Sequence, residues 1–267
     1  MNKKGYIALE HFIKKYGLER IECVISTKDK GLVNDYSRQI NVLVLAHQID
    51  FYERDGNFKI NSNYIFAIGW RWLIPFKGKL IVFHDSLLPK YRGFAPLVNQ
   101  LINRENKIGV TALLASKEYD RGDIIEQRYI SISYPIKIEE VINQLTPMYS
   151  ELVIKIYNNI RKVREIKAYK QNETESSYSL WRDEDDYRIN WGKGSDEIKR
   201  FIAEVGYPYL GTSTLVENKK VRVLEAEIVS DQVVKNRTPG KVIFSDGIYP
   251  IIVCGQGLLK VKNLIDD

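Results

Sequence analysis

Residues 79–93 read KLIVFHDSLLPKYRG. Leu80–Phe83 is a short, nearly continuous apolar run, the pattern of a strand buried on both faces. It runs straight into His84. Pro89 and Gly93 then turn the chain, while Lys90 and Arg92 add positive charge. Ligands of open α/β sheets bind outside the carboxyl ends of the strands. The stretch therefore reads as a buried strand that delivers a histidine to the ligand edge of an α/β sheet. An imidazole changes charge near neutral pH, which suits proton transfer beside an anionic substrate. A histidine after an apolar run is, on its own, more often structural, and His11 and His47, inside helical patterns, take that reading.

The rest of the first half supports the α/β class. Tyr6, Leu9, Phe12, Ile13 and Tyr16 fall at helical spacing before Gly17, a natural C-terminal stop. Ile21–Ser26 is a short β-type run, and Asn34 can cap a helix reaching about His47. Tyr64–Ile68 is a second buried-type strand. Phe94–Asn103 reads as a helix, Val110–Ser116 as a strand and Ile124–Ser133 as an outer strand. Ile138–Ile160 is a long helix that Pro147 should kink or divide. Strands alternating with helices predict a mostly parallel sheet. Such a domain opens with a strand, yet only Met1–Lys4 precede the first helical pattern. The expectation is that Met1 is internal to the natural frame, and finding Met1 intact in the native protein would sink it.

The texture changes after about Arg164. QNETESSYS, residues 171–179, is polar and turn-rich like a linker. A helix over Ser195–Val205 precedes five strand patterns: Ser213–Val216, Val221–Val229, Lys241–Ser245, Ile248–Cys254 and Leu258–Val261. Asp246-Gly247 marks a hairpin between two of them. The division predicted is a catalytic domain over residues 1–165, a linker over 166–194 and a smaller β-rich barrel or sandwich over 195–267.

Composition narrows the function classes. A hydrophobic share of 44% suits a soluble globular chain with a proper core. The net charge of +6 suits an anionic ligand, but there is no basic tail. Lys3-Lys4, Lys14-Lys15 and Lys219-Lys220 read as solvated pairs. Cys23 and Cys254 sit far apart in apolar runs, as buried reduced thiols do. Without a membrane-length apolar stretch or a signal-peptide core, the chain reads as cytoplasmic with no membrane partner.

FHDSLLPKYRG, residues 83–93, resembles the signature loop of the folate-dependent formyltransferases. A second block, IGVTALLASKEYDRGDII (Ile108–Ile125), resembles the same family's strand and loop that carry a catalytic aspartate. Asp120 takes that place, at the family's usual interval from His84. LWRDEDDYRINW, YPYLGTST, PGKVIF and GQGLLKVKNL resemble its C-terminal region. The resemblance implies a Rossmann-like domain followed by an OB-like one, with N10-formyltetrahydrofolate as formyl donor. It implies His84 and Asp120 as catalytic residues, and a folate pocket formed by Trp70, Trp72 and Leu73 of GWRWLIP with Ser86, Leu87 and Tyr119. Lys90, Tyr91 and Arg92 are candidates to meet the acceptor or its phosphates, with a structural role as the alternative. No metal is implied, and Asp183–Asp186 reads as a solvated turn. One position departs from the pattern. Val82 stands where the family usually has an oxyanion-stabilising asparagine, so Asn99 or a backbone N–H would have to replace it.

Among acceptors, the pattern favours the amine of a nucleotide-linked amino sugar, a 4-amino-4,6-dideoxy sugar on UDP or dTDP by the family's example, as used in surface polysaccharide synthesis. The modest charge, the lack of a basic insertion in Ser26–Asp55 and Asp85 after the histidine argue against a nucleic-acid acceptor, since phosphate contacts dominate such binding. Methionyl-tRNA formyl transfer is the alternative within the family, and a non-catalytic binding module is the alternative outside it. A homodimer would use the C-terminal sheet edge or the Ile138–Ile160 helix.

Overall fold

The Asn2 side chain accepts a hydrogen bond from the Lys4 N–H at 3.2 Å and so caps α1 (Lys3–Tyr16). Gly17, at φ +79°, ends the helix by donating its N–H to Ile13. Ala8, Phe12 and Ile13 form the buried stripe between these stops. The computed structural model describes residues 2–163 and 165–266. The readings placed on Met1 and on Arg164 lie outside them.

The chain continues through β1 (Cys23–Ser26), α2 (Ser37–Ala46), β2 (Asp50–Glu53), β3 (Tyr64–Ile68), β4 (Lys79–His84) and β5 (Arg92–Gly93). Next come α3 (Pro96–Ile102), β6 (Lys107–Leu114), β7 (Ile124–Ser131), α4 (Ile138–Val163) and β8 (Tyr178–Ser179). Last are α5 (Ser195–Glu204), β9 (Thr212–Val216), β10 (Lys219–Val229), β11 (Val242–Asp246), β12 (Tyr249–Val253) and β13 (Leu258–Asp266). These residues divide into two compact units. The first holds residues up to Lys30, Asn34–Ile132 and Val141–Trp181, and the second holds Gly31–Val33, Ser133–Glu140 and the chain from Arg182 on.

The first unit is α/β. β1 pairs with β2 in parallel, and a separate four-stranded sheet runs β3-β4-β6-β7. β3 and β4 are parallel, while β6 and β7 join antiparallel, so the parallel share is smaller than the alternation of elements suggests. The crossover from β3 to β4, residues 69–78, carries no helix. Ala8 and Phe12 of α1 and Tyr149, Leu152, Val153 and Ile156 of α4 pack with Ile68, Ile81, Phe83, Val110 and Ala112 of the sheet. β2 was not expected, because only Phe51 and Tyr52 of its four residues are apolar.

Pro147 does not divide α4, which runs unbroken over Ile138–Val163. An internal proline costs about 3 kcal/mol. Val141, Ile142 and Leu145 before it and Tyr149, Leu152, Val153 and Ile156 after it are all buried on one stripe. Burying one such side chain is worth about 1.5–3 kcal/mol, so the stripe outweighs the break.

The second unit is an antiparallel sheet in the order β11-β12-β13-β10-β9, with Ile198 and Ile202 of α5 against Val223, Ala226, Ile252, Leu259 and Val261. Gly247 at φ +61° turns the hairpin read at Asp246-Gly247. A second tight hairpin uses Glu217 and Asn218, both at positive φ, between β9 and β10. β13 extends five residues past the run read for it, from Leu258 to Asp266, because its second half pairs with β10. Cys254 lies in this core, where burial pushes its thiol up to about 11. Cys23 is only half-buried.

Candidate active site

β4 ends at His84, which sits opposite Thr111 of β6. The loop after it is tied to the sheet through that threonine. The Thr111 hydroxyl donates to the Ser86 carbonyl at 2.6 Å and accepts from the Leu88 N–H and the Gln127 amide. Ser86 is fully buried, and its hydroxyl donates to the Lys90 carbonyl at 2.6 Å. The loop then turns through Tyr91 at φ +59°, which aims the Tyr91 carbonyl at His84 Nε2, 2.7 Å away.

Nδ1 of the same ring lies 3.4 Å from Asp120 Oδ1. Asp120 follows β6 at φ +56°, and its other oxygen accepts the Gly93 N–H at 2.9 Å. Gly122 fixes this loop, since a Cβ there would lie 1.6 Å from the Leu114 carbonyl oxygen. The two motifs read from sequence thus meet in one place, mostly buried.

The geometry dictates the proton count. A carbonyl oxygen only accepts, so Nε2 carries a proton. Nδ1 faces a carboxylate, another acceptor. A neutral imidazole has one N–H, so a second proton placed between Nδ1 and Oδ1 satisfies both atoms. His84 and Asp120 together can therefore take up and release one proton, as general acid–base chemistry requires.

Arg92 takes its structural reading. It is fully buried, and its guanidinium donates to Gln171 Oε1 at 2.7 and 3.0 Å and to both oxygens of Glu173. Gln171 in turn donates to the Asp120 and Gly122 carbonyls. These four bonds and a further one to Tyr178 occupy its five N–H groups, so none is left over for a substrate phosphate, and its effect is to hold the Asp120 loop. Hydrogen bonds from Arg92 keep the Glu173 carboxyl down to about 2. The Tyr91 hydroxyl is likewise spent on Glu105 and Asn103, so Tyr91 serves through its backbone carbonyl. Lys90 is exposed.

Lys4 is not the solvated residue expected of it. It is 3% exposed, and its ammonium pairs with Asp85, the residue after His84. Tyr149 of α4 donates to the other Asp85 oxygen. Burial alone would raise the Asp85 carboxyl, but Lys4 and Tyr149 more than offset it and hold it below the usual range. The signal was available in sequence: Lys4, Ala8 and Phe12 repeat at helical spacing, and a carboxylate on a buried edge needs a cation.

Val82 packs against Leu88, Leu113 and Ile124 and offers no donor. Asn99 does not replace the asparagine. Its amide donates to the Ala95 carbonyl at 3.0 Å and, more weakly, to those of Phe94 and Leu180.

The residues read as a folate pocket fall into two groups. Leu87 is half-buried beside Gly109, and Ser86 is locked in the loop as described. The aromatic residues form a chain: Trp70 against Trp72 at 5.2 Å, and Trp181 against Phe94 at 5.1 Å, with Tyr119 5.8 Å beyond. The Arg71 guanidinium bridges the two parts, over Trp72 and Trp181. Leu73 and Tyr119 are exposed. Phe94 and Trp181 were missed, although Phe94 follows one stretch that carries the resemblance and Trp181 lies within another. Among the described residues no group of three His, Cys, Asp or Glu side chains is placed to hold a metal.

Residues 53–156 match the formyl transferase family, and residues 182–266 match the formyl transferase C-terminal domain. A methionyl-tRNA formyltransferase of Thermodesulfovibrio yellowstonii is 28% identical over 219 residues, 78% of this chain and 68% of that protein. The structure of an N-formyltransferase from Helicobacter canadensis, solved with folinic acid and dTDP-3-aminofucose, superposes with TM-score 0.68 at 19% identity, over 99% of this chain and 97% of that one. HypX from Aquifex aeolicus, solved with tetrahydrofolic acid, superposes with TM-score 0.63 at 21% identity, over 76% of this chain and 36% of that longer one.

Proposed function

The chain belongs to the formyl transferase family, and from that premise we propose that it moves a formyl group from N10-formyltetrahydrofolate to the primary amine of a nucleotide-linked amino sugar. The observation that carries the chemistry is the His84–Asp120 pair at the carboxyl end of β4. The unprotonated amine attacks the formyl carbon and forms a C–N bond. The tetrahedral oxyanion then collapses, the bond to N10 of the folate breaks, and N10 takes a proton. The amine must lose a proton and N10 must gain one. A pair that shares one proton relays it without free hydronium, an effect worth roughly 10²–10⁴-fold in rate. Arg92, through Gln171, and Gly93 hold Asp120 for this step.

The sugar acceptor is supported by likeness over nearly the whole length to an N-formyltransferase solved with a dTDP-linked amino sugar. The relatives named methionyl-tRNA formyltransferases favour a second reading, in which the amine is that of methionyl-tRNA. The test is incubation of the protein and the formyl donor with UDP- and dTDP-linked 4-amino-4,6-dideoxy sugars and, in parallel, with methionyl-tRNA. Mass spectrometry would follow the gain of one formyl group. A formylated sugar that disappears with His84→Ala supports the proposal. Product on methionyl-tRNA alone replaces the acceptor, and no product on any amine overturns the activity.

A further inference from the structure

The ends of the parallel pair β1 and β2 meet the segment that follows β3 in the first unit. Ser26 closes β1, Arg54 follows β2, and Trp70, Arg71 and Trp72 follow β3. The Arg54 N–H donates to the Ser26 carbonyl at 3.0 Å. The Arg54 guanidinium lies 4.8 Å from the Trp72 ring centroid, and that of Arg71 lies 5.5 Å from it. Two cations thus flank one indole, and Trp70 packs edge-on against the same ring.

Three buried groups here have no hydrogen-bond partner among the described residues: Ser26 Oγ, Arg54 Nε and Trp70 Nε1. Two of them can only donate, and the hydroxyl can donate. Buried polar groups in native proteins are almost always paired, so three orphans on one cluster call for an acceptor. Ser26 is fully buried. The nearby carboxylates offset the two charges but do not use up the donors. Asp55 pairs with Arg54 but is mostly exposed, and Asp29 pairs with one end of Arg71. Each guanidinium has five N–H groups, so donors remain.

We propose that Ser26, Arg54, Trp70 and Arg71 form an anion-binding site around Trp72 that takes the oxyanions of a phosphate or carboxylate group. Arginine beside an indole is suited to such a group when it is attached to a planar ring, because the ring stacks while the guanidinium forks onto the oxygens. Two anions of the proposed reaction have this chemistry: the diphosphate of the nucleotide-linked acceptor and the glutamate carboxylates of the folate donor. Assignment to either rests on the proposed formyl transfer. The site itself does not.

The test is direct binding, read by calorimetry and by tryptophan fluorescence, with inorganic pyrophosphate, dTDP, tetrahydrofolate and tetrahydropteroate, which lacks the glutamate. The proteins are the wild type, Arg54→Gln, Arg71→Gln, Trp70→Phe and, as the control, Arg200→Gln. Loss of one charge-assisted hydrogen bond should weaken the cognate anion about tenfold in Arg54→Gln and Arg71→Gln, and less in Trp70→Phe. Weakening confined to pyrophosphate and dTDP assigns the acceptor diphosphate. Weakening of tetrahydrofolate but not tetrahydropteroate assigns the donor tail. Trp70→Phe, close in shape, keeps the test valid if an arginine variant fails to fold. Affinities for all four ligands that stay within about twofold of wild type in every site variant overturn the site. Arg200→Gln, which touches only the Asp196 pair on α5, should bind each anion as the wild type does. Formyl transfer that fails while the site variants still weaken anion binding sinks the proposed function and leaves the site standing.

Discussion

The two units handle charge in opposite ways. In the first, Lys4, His84 and Arg92 are buried and each meets an oxygen acceptor inside the protein: Asp85, the Tyr91 carbonyl and Asp120, or Gln171 and Glu173. In the second, the core of Ile198, Ile202, Val223, Ile252, Leu259 and Val261 is aliphatic, and most ion pairs lie outside, such as Arg200 with Asp196 and Lys262 with Glu227. Arg222, buried against Glu184, and Glu204 are exceptions there. Burying a charge costs several kcal/mol unless it is paired, so a unit keeps buried charge only where the chemistry or the geometry needs it. The proton pair proposed for catalysis lies in the unit that buries Lys4, His84 and Arg92.

The sharpest way to break this contrast is at the proton pair. Asp120→Asn keeps the shape of the side chain but removes the proton acceptor. Formyl transfer should fall by about 10²–10⁴-fold with little change in melting temperature. A loss below tenfold in steady-state kinetics would mean that the buried charge around His84 is architecture and not chemistry.

The next effect is on stability. Asp85→Ala leaves the Lys4 ammonium buried without a partner, which should cost about 3–5 kcal/mol in denaturant unfolding. The double change Lys4→Met with Asp85→Leu removes both charges and should recover most of that loss. A single variant as stable as the wild type would show that Lys4 reaches water and that the first unit resembles the second after all.

These variants also mark what the sequence could and could not reveal. Asp120 was read only through the resemblance of Ile108–Ile125, whereas His84 stood out by itself, at the end of a buried-type strand and before a turn built on Pro89 and Gly93. The hairpin at Gly247 was legible for the same local reason. Lys4, Arg92 and Asn99 were not, because their roles depend on partners at Asp85, Gln171 and Ala95 that only the folded chain brings near. Pro147 misled because propensity is local, whereas the stripe from Val141 to Ile156 that overrides it is tertiary. The aromatic chain was half legible: Trp70, Trp72 and Tyr119 stood out, and Phe94 and Trp181 joined them through space.

Acid sharpens the comparison further. Lys4 and Tyr149 hold the folded Asp85 carboxyl below its usual range. A depressed carboxyl contributes stability that is fully present above the unfolded value, about pH 4, and is lost as pH falls through the lower folded value. Asp85→Asn should lack this loss. Its stability should fall less steeply than the wild type's below about pH 4 in urea unfolding at stepped pH. Equal slopes would put the acid sensitivity elsewhere, with Glu173 on Arg92 the next candidate.

The smallest effect is expected in the second unit. Arg200 and Asp196 are four residues apart on α5, joined at 2.7 Å, with Asp196 68% exposed. Such a pair gains little Coulomb energy in water, and holding two side chains in place costs entropy. Asp196 also sits in the first turn of α5, where the helix dipole favours its charge whether or not Arg200 is present. Arg200→Gln should therefore cost only about 0.3–0.5 kcal/mol, and salt near 1 M should erase the difference by screening. A cost that approaches that of Asp85→Ala, or one that persists in high salt, would mean that the second unit too depends on its charges, and the contrast between the units would be one of exposure alone.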